Sequence, residues 1–163
     1  MNSRINMFSV NPKAMQTMMA MQNYVNGSGL EAKLLHLVKL RASQINGCAY
    51  CIDMHSKDAR AEGETEQRLY ALDAWRETPF YDARERAALA WTEAVTLITE
   101  GHVPDHEFAA VREQFSEEEL VNLTLAIATI NAWNRLCVSF RAVPGTYRRQ
   151  VSSVSVSSSR PQA

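Results

Sequence analysis

The sequence predicts a compact all-α domain of about seven helices, and three features of the residue pattern support this fold class. Apolar residues recur three and four positions apart over long stretches, which is the spacing of an amphipathic helix. Residue pairs with capping-box spacing stand before several of these stretches. No run of six residues alternates cleanly between apolar and polar, and no Asn-Gly pair joins two such runs, so strands are not expected.

Each helix is justified by signals at its start or by its apolar stripe. The predicted ranges are 12–25, 30–43, 48–62, 65–77, 83–99, 105–114 and 117–141. The first helix is rich in methionine, which suits either docking onto its own domain or an oligomer contact. The second, fifth and seventh begin at capping-box pairs, which are Ser28 with Glu31, Asp82 with Glu85, and Ser116 with Glu119. The third, fourth and sixth follow breaks at Gly47, Gly63 and Pro104.

Length and composition fit one globular domain and exclude several classes of protein. The chain has 163 residues, of which 46% are hydrophobic and 21% charged, with 17 basic against 18 acidic residues. This balance argues against a general binder of nucleic acid or of an anionic membrane surface. Three cysteines are too few for a disulfide scaffold. We expect residues 1–150 to form the helical domain and the Ser-rich tail 151–163 to be disordered.

Targeting and membrane signals are not evident in the sequence. The first residues lack the basic and apolar segments of a secretory signal. The most apolar stretch, 120–140, is interrupted by asparagines and an arginine and therefore suits a buried helix better than a membrane span. These features predict a cytoplasmic protein, in which thiols stay reduced unless they have a chemical role.

The segment that carries chemistry is the C-x-x-C pair formed by Cys48 and Cys51. It follows the Asn46-Gly47 break, so both sulfurs are expected in the first turn of a helix, where free N–H groups and the helix dipole favour thiolate. His55 follows one turn later on the same face. A thiolate can attack a peroxide to give a sulfenic acid, and the second cysteine can condense with it to a disulfide. The three residues together suffice for half of a peroxidase cycle.

Two other interpretations of the same residues stay open. His36, Cys48, Cys51 and His55 form a two-Cys, two-His set of the kind that binds tetrahedral Zn²⁺. A zinc-binding or structural oligomer without redox turnover is therefore the alternative function. The cysteines can also be inert core residues, although this leaves their place at a helix start beside a histidine unexplained.

The run from Leu37 to His55, LVKLRASQINGCAYCIDMH, resembles the signature of the alkylhydroperoxidase D-like (AhpD-like) proteins of the carboxymuconolactone decarboxylase superfamily. The resemblance continues through the sequences RETPF, ERAALAWTE and NAWNR, and covers about Ser28 to Gly145. It implies an all-helical fold that assembles into homotrimers or homohexamers. It also implies reduction of organic hydroperoxides, or hydrogen peroxide, with a lipoyl-type or thioredoxin-like dithiol as electron donor and no bound cofactor. A carboxymuconolactone decarboxylase-like lyase is a third possibility, by superfamily analogy alone.

The resemblance also implies roles for individual residues. Cys51 corresponds to the cysteine that attacks the peroxide, and Cys48 to its resolving partner and proton donor. His55 belongs to a proton relay. The chain departs from the family at two relay positions, because His36 stands where the family has a glutamate and Tyr50 stands where well-known peroxidases have a histidine. A histidine at position 36 still relays protons but adds no negative charge.

The remaining chemistry-bearing residues are assigned structural roles. Cys137 lies in the apolar last helix and is expected to be a buried, inert thiol. His102 and His106 are expected at the surface. Trp75, Trp91 and Trp133 are expected to anchor the core or an interface.

Overall fold

The computed structural model describes residues 2–149 and is helical throughout its regular structure, as predicted. The tail from 151 to 163 lies outside the described residues. The helices are α1 (Met7–Val10), α2 (Pro12–Asn26), α3 (Ala32–Ile45), α4 (Ala49–Ala61), α5 (Glu66–Tyr70), α6 (Ala83–Thr96), α7 (Ile98–Gly101), α8 (Asp105–Arg112) and α9 (Glu117–Phe140), with a 3-10 segment at Ala71–Glu77 between α5 and α6.

Helix α3 lies at the centre of the fold and packs against α4, α6 and α9. It is apolar on two faces, so it joins two clusters of buried side chains. Leu34, Leu35 and Val38 face the cluster shared with α2, α6, α8 and α9. Leu37 and Leu40 face the cluster shared with α5, the 3-10 segment and α6. This burial on both sides fixes the end of α3, from which the C-x-x-C segment departs.

A third cluster of buried residues holds all three cysteines of the chain. It contains Ala42 at the end of α3, Cys48 and Cys51 at the start of α4, and Ile130 and Cys137 on α9. Met7, Tyr50, Trp133 and Ala142 pack around it. The thiols therefore lie in mainly apolar surroundings rather than at an open surface.

Two of the three predicted capping boxes are present and one prediction was wrong. Asp82 with Glu85 caps α6, and Ser116 with Glu119 caps α9, each with both reciprocal hydrogen bonds. Glu31 is instead the N-cap of α3 and makes no side-chain cap hydrogen bond. The Ser28 hydroxyl donates to the Val25 carbonyl at 2.8 Å, and its oxygen takes no part in capping α3.

The helix predicted at 65–77 is two elements, because the chain changes from α5 into the 3-10 segment and departs from helical geometry at Ala74. This change lets Trp75 turn into the core, where its indole Nε1 donates to Glu93 Oε1 at 2.8 Å. The helix predicted at 83–99 ends at Thr96, and α7 follows it. The short helix α1 was not predicted.

Other expectations about individual side chains are confirmed. Trp75 and Trp91 are buried, whereas Trp133 is half-buried and stacks on Phe8 with 6.3 Å between ring centroids. His102 and His106 are exposed. Within residues 2–149, no helix combines the length and the apolar character that crossing a bilayer requires.

Candidate functional site

The C-x-x-C segment begins at a tight turn between α3 and α4. Gly47 adopts a φ of 63°, a conformation that glycine adopts without a steric penalty. The turn places Cys48 at the N-cap of α4, with its N–H donating to the Ser43 carbonyl at 3.0 Å. Cys51 follows in the first turn of α4. The predicted placement of both sulfurs at the start of a helix is therefore found.

The two sulfur atoms are in contact with each other and are shielded from solvent. Cys48 Sγ and Cys51 Sγ lie 2.7 Å apart. Cys48 is 1% exposed and Cys51 is 0% exposed. Both are free thiols in this structure. A disulfide has an S–S distance of about 2.05 Å, so only a small movement separates this dithiol from its oxidised form.

A third sulfur completes the cluster, and sequence reasoning did not foresee it there. Cys137 on α9 is buried, as expected, but its Sγ lies within 4.8 Å of both Cys48 Sγ and Cys51 Sγ. The expectation of a buried thiol is thus confirmed, and its place beside the C-x-x-C pair is a finding of the structure. Among the described residues, these three sulfurs are also the group of side chains whose ligand atoms come close enough together to hold a metal ion.

The hydrogen bonds in this cluster favour negative charge on Cys48. Interactions of its thiolate with Cys137, with the Cys51 thiol, with the Cys51 backbone and with Asn134 together lower the pKa of Cys48 despite its burial. The same contacts, together with burial, raise the pKa of Cys51 and of Cys137. One negative charge can therefore be held among three sulfurs, with Cys48 as its preferred location.

An asparagine network fixes the C-x-x-C turn against α9. Asn46 Nδ2 donates to Asn131 Oδ1 and to Asn134 Oδ1, each at 2.9 Å. Asn134 Nδ2 donates to Ser43 Oγ at 3.1 Å. Asn134 is almost fully buried, so these polar groups depend on one another for partners. The network holds Cys48 beside the face of α9 that carries Cys137.

His55 lies one turn after Cys51 and is a buried neutral imidazole. It is 6% exposed, and burial, followed by the charges of Lys39 and His36, lowers the pKa of His55 to about 3. Its Nε2 is buried and has no hydrogen-bond partner within residues 2–149. A neutral ring nitrogen with a free lone pair or an unpaired N–H can accept or donate a proton.

His36 is held by a carboxylate that the sequence did not reveal. His36 Nε2 lies 2.9 Å from Glu62 Oε2, at the end of α4. Burial raises the pKa of Glu62, but the hydrogen bond and charge of His36, with Arg149, outweigh it and lower that pKa. The His36 Nδ1 atom is buried and unpartnered within the described part of the chain. An Nε2–H donated to Glu62 leaves Nδ1 as a proton acceptor.

The structure brings the predicted site residues together in two groups rather than one. Cys48 and Cys51 join Cys137, and neither His36 nor His55 belongs to that compact group within residues 2–149. The two histidines lie near each other, close enough for the charge of His36 to lower the pKa of His55. The four residues considered for tetrahedral zinc therefore do not form one compact ligand set.

Sequence reasoning did not assign Asn131, Asn134, Cys137 or Glu62 to the site, and a signal in the sequence exists for the three residues on α9 alone. Asn131, Asn134 and Cys137 recur every three positions along an otherwise apolar helix, which indicates one polar stripe facing a site. Glu62 follows His55 by two helical turns, but nothing in its local sequence distinguishes it from its acidic neighbours.

Comparison with known sequences and structures identifies the family. The sequence profile of the carboxymuconolactone decarboxylase family matches residues 12–94, about half of the chain. The chain belongs to this family. The matched region includes α2 through most of α6 and thus contains Cys48, Cys51, His36 and His55 but not Cys137.

Relatives and solved structures place the chain among the AhpD-like members. The uncharacterized protein YdfG of Bacillus subtilis is 46% identical over 139 residues, which are 85% of this chain and 95% of YdfG. A crystal structure from Agrobacterium tumefaciens, of a protein of unknown function linked by name to the antioxidant defence protein AhpD, has a TM-score of 0.87 and 48% identity, covering 90% of this chain and all of that one. The debrominase Bmp8 shares the fold, with a TM-score of 0.77 at 21% identity over 85% of this chain and 75% of its own.

Proposed function

We propose that this AhpD-like protein is a thiol-dependent peroxidase that reduces hydroperoxides at the Cys48–Cys51 pair. The observation that carries the proposal is the 2.7 Å contact between these two sulfurs at the start of α4. This pair can cycle between dithiol and disulfide with little backbone movement. The antioxidant name of the Agrobacterium relative supports the same chemistry.

In the first step, Cys51 attacks, in the role that the family resemblance implies. The Cys48 thiolate takes the proton of Cys51 while the Cys51 sulfur attacks a peroxide oxygen and the O–O bond breaks. Cys51 becomes a sulfenic acid, and the proton held on Cys48 passes to the leaving alkoxide, which departs as an alcohol. The lowered pKa of Cys48 keeps this sulfur deprotonated and therefore free to accept the proton. The same shift makes Cys48 a weak base, so the proton moves together with the attack on the peroxide rather than before it.

In the second step, the Cys48 thiolate attacks the sulfur of the Cys51 sulfenic acid. The disulfide forms, and hydroxide leaves and takes up a proton as water. A dithiol of lipoyl or thioredoxin-like type then reduces the Cys48–Cys51 disulfide and is itself oxidised. The cycle consumes one peroxide and one dithiol and yields an alcohol, water and an oxidised dithiol.

The proton consumed in the second step is delivered by the histidines. His55 lies one turn from Cys51 and has an unpartnered Nε2, and His36 has an unpartnered Nδ1. Glu62 binds the far nitrogen of His36 and supplies the negative charge that the family places at position 36. We assign proton relay to His55 and His36, and we assign Glu62 to positioning His36.

The test is consumption of cumene hydroperoxide with dihydrolipoamide as reductant. Wild-type protein should turn over, whereas Cys48→Ser and Cys51→Ser should lose activity, with circular dichroism to confirm folding. His55→Gln should lower the rate on the order of a hundredfold because a relay group is removed. His106→Gln, at an exposed histidine, is the matched control and should keep the wild-type rate. Retained turnover in Cys51→Ser would contradict the proposed site.

Two double variants test which sulfur attacks. The Cys48→Ser, Cys137→Ser variant keeps Cys51 alone and should form a dimedone adduct of its sulfenic acid after peroxide. The Cys51→Ser, Cys137→Ser variant keeps Cys48 alone and should form little. An adduct confined to the second variant would reverse the assigned roles.

A second candidate function is supported by the three clustered sulfurs. Three thiolates suit a soft metal such as Zn²⁺ or Cu⁺, and this set replaces the two-Cys, two-His set suggested by the sequence. One metal ion bound tightly per chain, with thiols resistant to peroxide, would favour this function over the peroxidase. No contact in the described residues specifically favours the lyase alternative, which remains an analogy with the family name.

A further inference from the structure

Cys137 is a buried thiol to which the peroxide chemistry assigns no role. Its sulfur lies within 4.8 Å of both members of the redox pair. It comes from α9, a helix separate in sequence from the C-x-x-C turn and outside the residues that match the family profile. A nucleophile in this position can reach a disulfide formed by its neighbours.

The asparagine network holds Cys137 on α9 in a fixed position beside Cys48. Asn134 lies one turn before Cys137 on α9, and it binds Ser43 in α3 and Asn46 at the end of α3, just before the turn that leads to Cys48. Because Asn134 and Cys137 share a helix face, the bonds that hold the turn also hold Cys48 Sγ against Cys137. The contact is built into the packing of α3, α4 and α9 rather than left to a mobile loop.

We propose that Cys137 is a third redox thiol, which exchanges with the Cys48–Cys51 disulfide to form a Cys48–Cys137 disulfide. The proposal deepens the proposed peroxidase function, because that function supplies the first disulfide. The Cys137 sulfur attacks Cys48 Sγ, the Cys48–Cys51 bond breaks, and its electron pair leaves on Cys51. The proton lost by Cys137 is taken up by Cys51. The exchange changes neither the number of disulfides nor the number of thiols.

The surroundings favour a disulfide over a charged metal centre. Ile130, Ala42 and the half-buried Trp133 pack around the sulfurs. A disulfide is neutral and costs little to bury, whereas three thiolates around one metal ion leave net charge in apolar surroundings. Cys137 therefore serves as an exchange partner for Cys48, and the exchange returns Cys51 to its thiol form while the site remains oxidised.

The experiment uses diamide, which oxidises thiol pairs to disulfides without any peroxidase step. Cys51→Ser keeps Cys48 and Cys137. After diamide, acid quenching and alkylation under denaturing conditions, it should lose both thiols and yield a cross-linked Cys48–Cys137 peptide. The matched Cys51→Ser, Cys137→Ser variant should retain its single thiol. In wild-type protein, the Cys48–Cys137 peptide should appear beside the Cys48–Cys51 peptide.

Several results would overturn the proposal. One is a Cys51→Ser variant that is folded and keeps both thiols under conditions that oxidise the wild-type pair. A second is wild-type protein that yields the Cys48–Cys51 peptide alone, a result that decides the question even where the variant does not fold. A third is a bound metal ion that protects all three thiols from diamide. If the Cys48–Cys137 disulfide forms but peroxide is not consumed, the exchange stands and the peroxidase function fails.

Discussion

Lys39 places a positive charge in the interior beside the histidine pair. It is 7% exposed, and its Nζ donates to Asn26 Oδ1 at 3.0 Å. Burial lowers the pKa of Lys39 from 10.5 to about 8, against the opposing charges of Asp58 and Glu62. The charged form is thus less favourable in the folded protein than in the unfolded chain, so this residue makes stability depend on pH.

The sign of that dependence follows from proton binding. Between pH 8 and 10.5 the unfolded chain holds the Lys39 proton and the folded protein releases it, so the contribution of Lys39 to the free energy of unfolding rises with pH. Below pH 8 the full cost of burying the charge is present, roughly 3 kcal/mol. Lys39→Met should therefore be more stable than wild type at pH 7, and the difference should shrink towards pH 10.

Urea unfolding of both proteins from pH 7 to 10 measures this difference. Lys57→Met is the matched control, because Lys57 is partly exposed and pairs with Asp53 at the surface. The difference in free energy of unfolding between Lys57→Met and wild type should not shrink in the same way between pH 7 and pH 10. A Lys39→Met difference that is constant across this pH range would contradict the assigned burial cost.

Glu62 is the second residue whose role can be isolated. Glu62→Gln keeps a group that can bind His36 but removes the negative charge that would stabilise a protonated His36 in the proposed proton relay. We expect kcat to fall on the order of tenfold, the pH–rate profile to change shape, and KM for the reductant to stay constant. Glu62→Asp should restore part of the rate.

Glu66→Gln is the control for that substitution, since it neutralises an exposed carboxylate paired with Arg60. It should keep the wild-type rate and pH profile. Equal effects of the two glutamine variants would show that Glu62 acts through general charge or stability rather than through His36.

At the scale of elements, Asn134 joins α9 to the turn between α3 and α4. Asn134→Ala removes partners of Asn46, Ser43 and Cys48, so we expect a loss of about 1–3 kcal/mol in the free energy of unfolding. We also expect the pKa of Cys48 to rise, because the Asn134 amide no longer stabilises its thiolate. Urea unfolding and the pH dependence of iodoacetamide labelling measure the two effects.

Val138→Ala provides the comparison on the same helix. Val138 is 51% exposed, so its truncation should change stability little and should leave the labelling profile of Cys48 unaltered. If Asn134→Ala matched this control in both measurements, the network would not be what holds the turn.

The helices also show which structural features could be predicted from the sequence and which could not. The seven main helices could be predicted because apolar spacing and capping residues act locally, as at Asp82 and Ser116. The prediction that Ser28 caps α3 was wrong because the Ser28 hydroxyl donates to the Val25 carbonyl instead. Residue spacing alone does not show which of these hydrogen bonds forms.

The candidate site was predictable only in part for the same reason. Cys48, Cys51 and His55 are neighbours on one helix, so their spacing brings them together. Cys137 contacts the C-x-x-C pair because α9 packs against α4, and Glu62 contacts His36 because the end of α4 lies beside α3. Both contacts depend on tertiary structure. Spacing along one helix therefore predicted part of the site, the family resemblance added His36 on α3, and the remaining contacts between helices could not be predicted from the sequence.

At the scale of the whole molecule, we expect self-association. The family resemblance implies trimers or hexamers, and the single chain leaves an open apolar groove lined by Trp91, Phe108, Leu120, Val121 and Leu125. Sedimentation equilibrium should give a mass that is three or six times the 18.3 kDa chain. A single-chain mass at micromolar concentration would contradict this expectation.

The burial of both sulfurs has a kinetic consequence. In the proposed peroxidase cycle, a hydroperoxide is small, but a protein-borne dithiol must bring its own sulfur into line with the disulfide to form a mixed disulfide. With Cys48 and Cys51 at most 1% exposed, that approach requires the surrounding helices to part. At saturating peroxide and reductant, the turnover rate would then equal the rate at which these helices open. Motion of the protein, rather than sulfur chemistry, would limit the reaction.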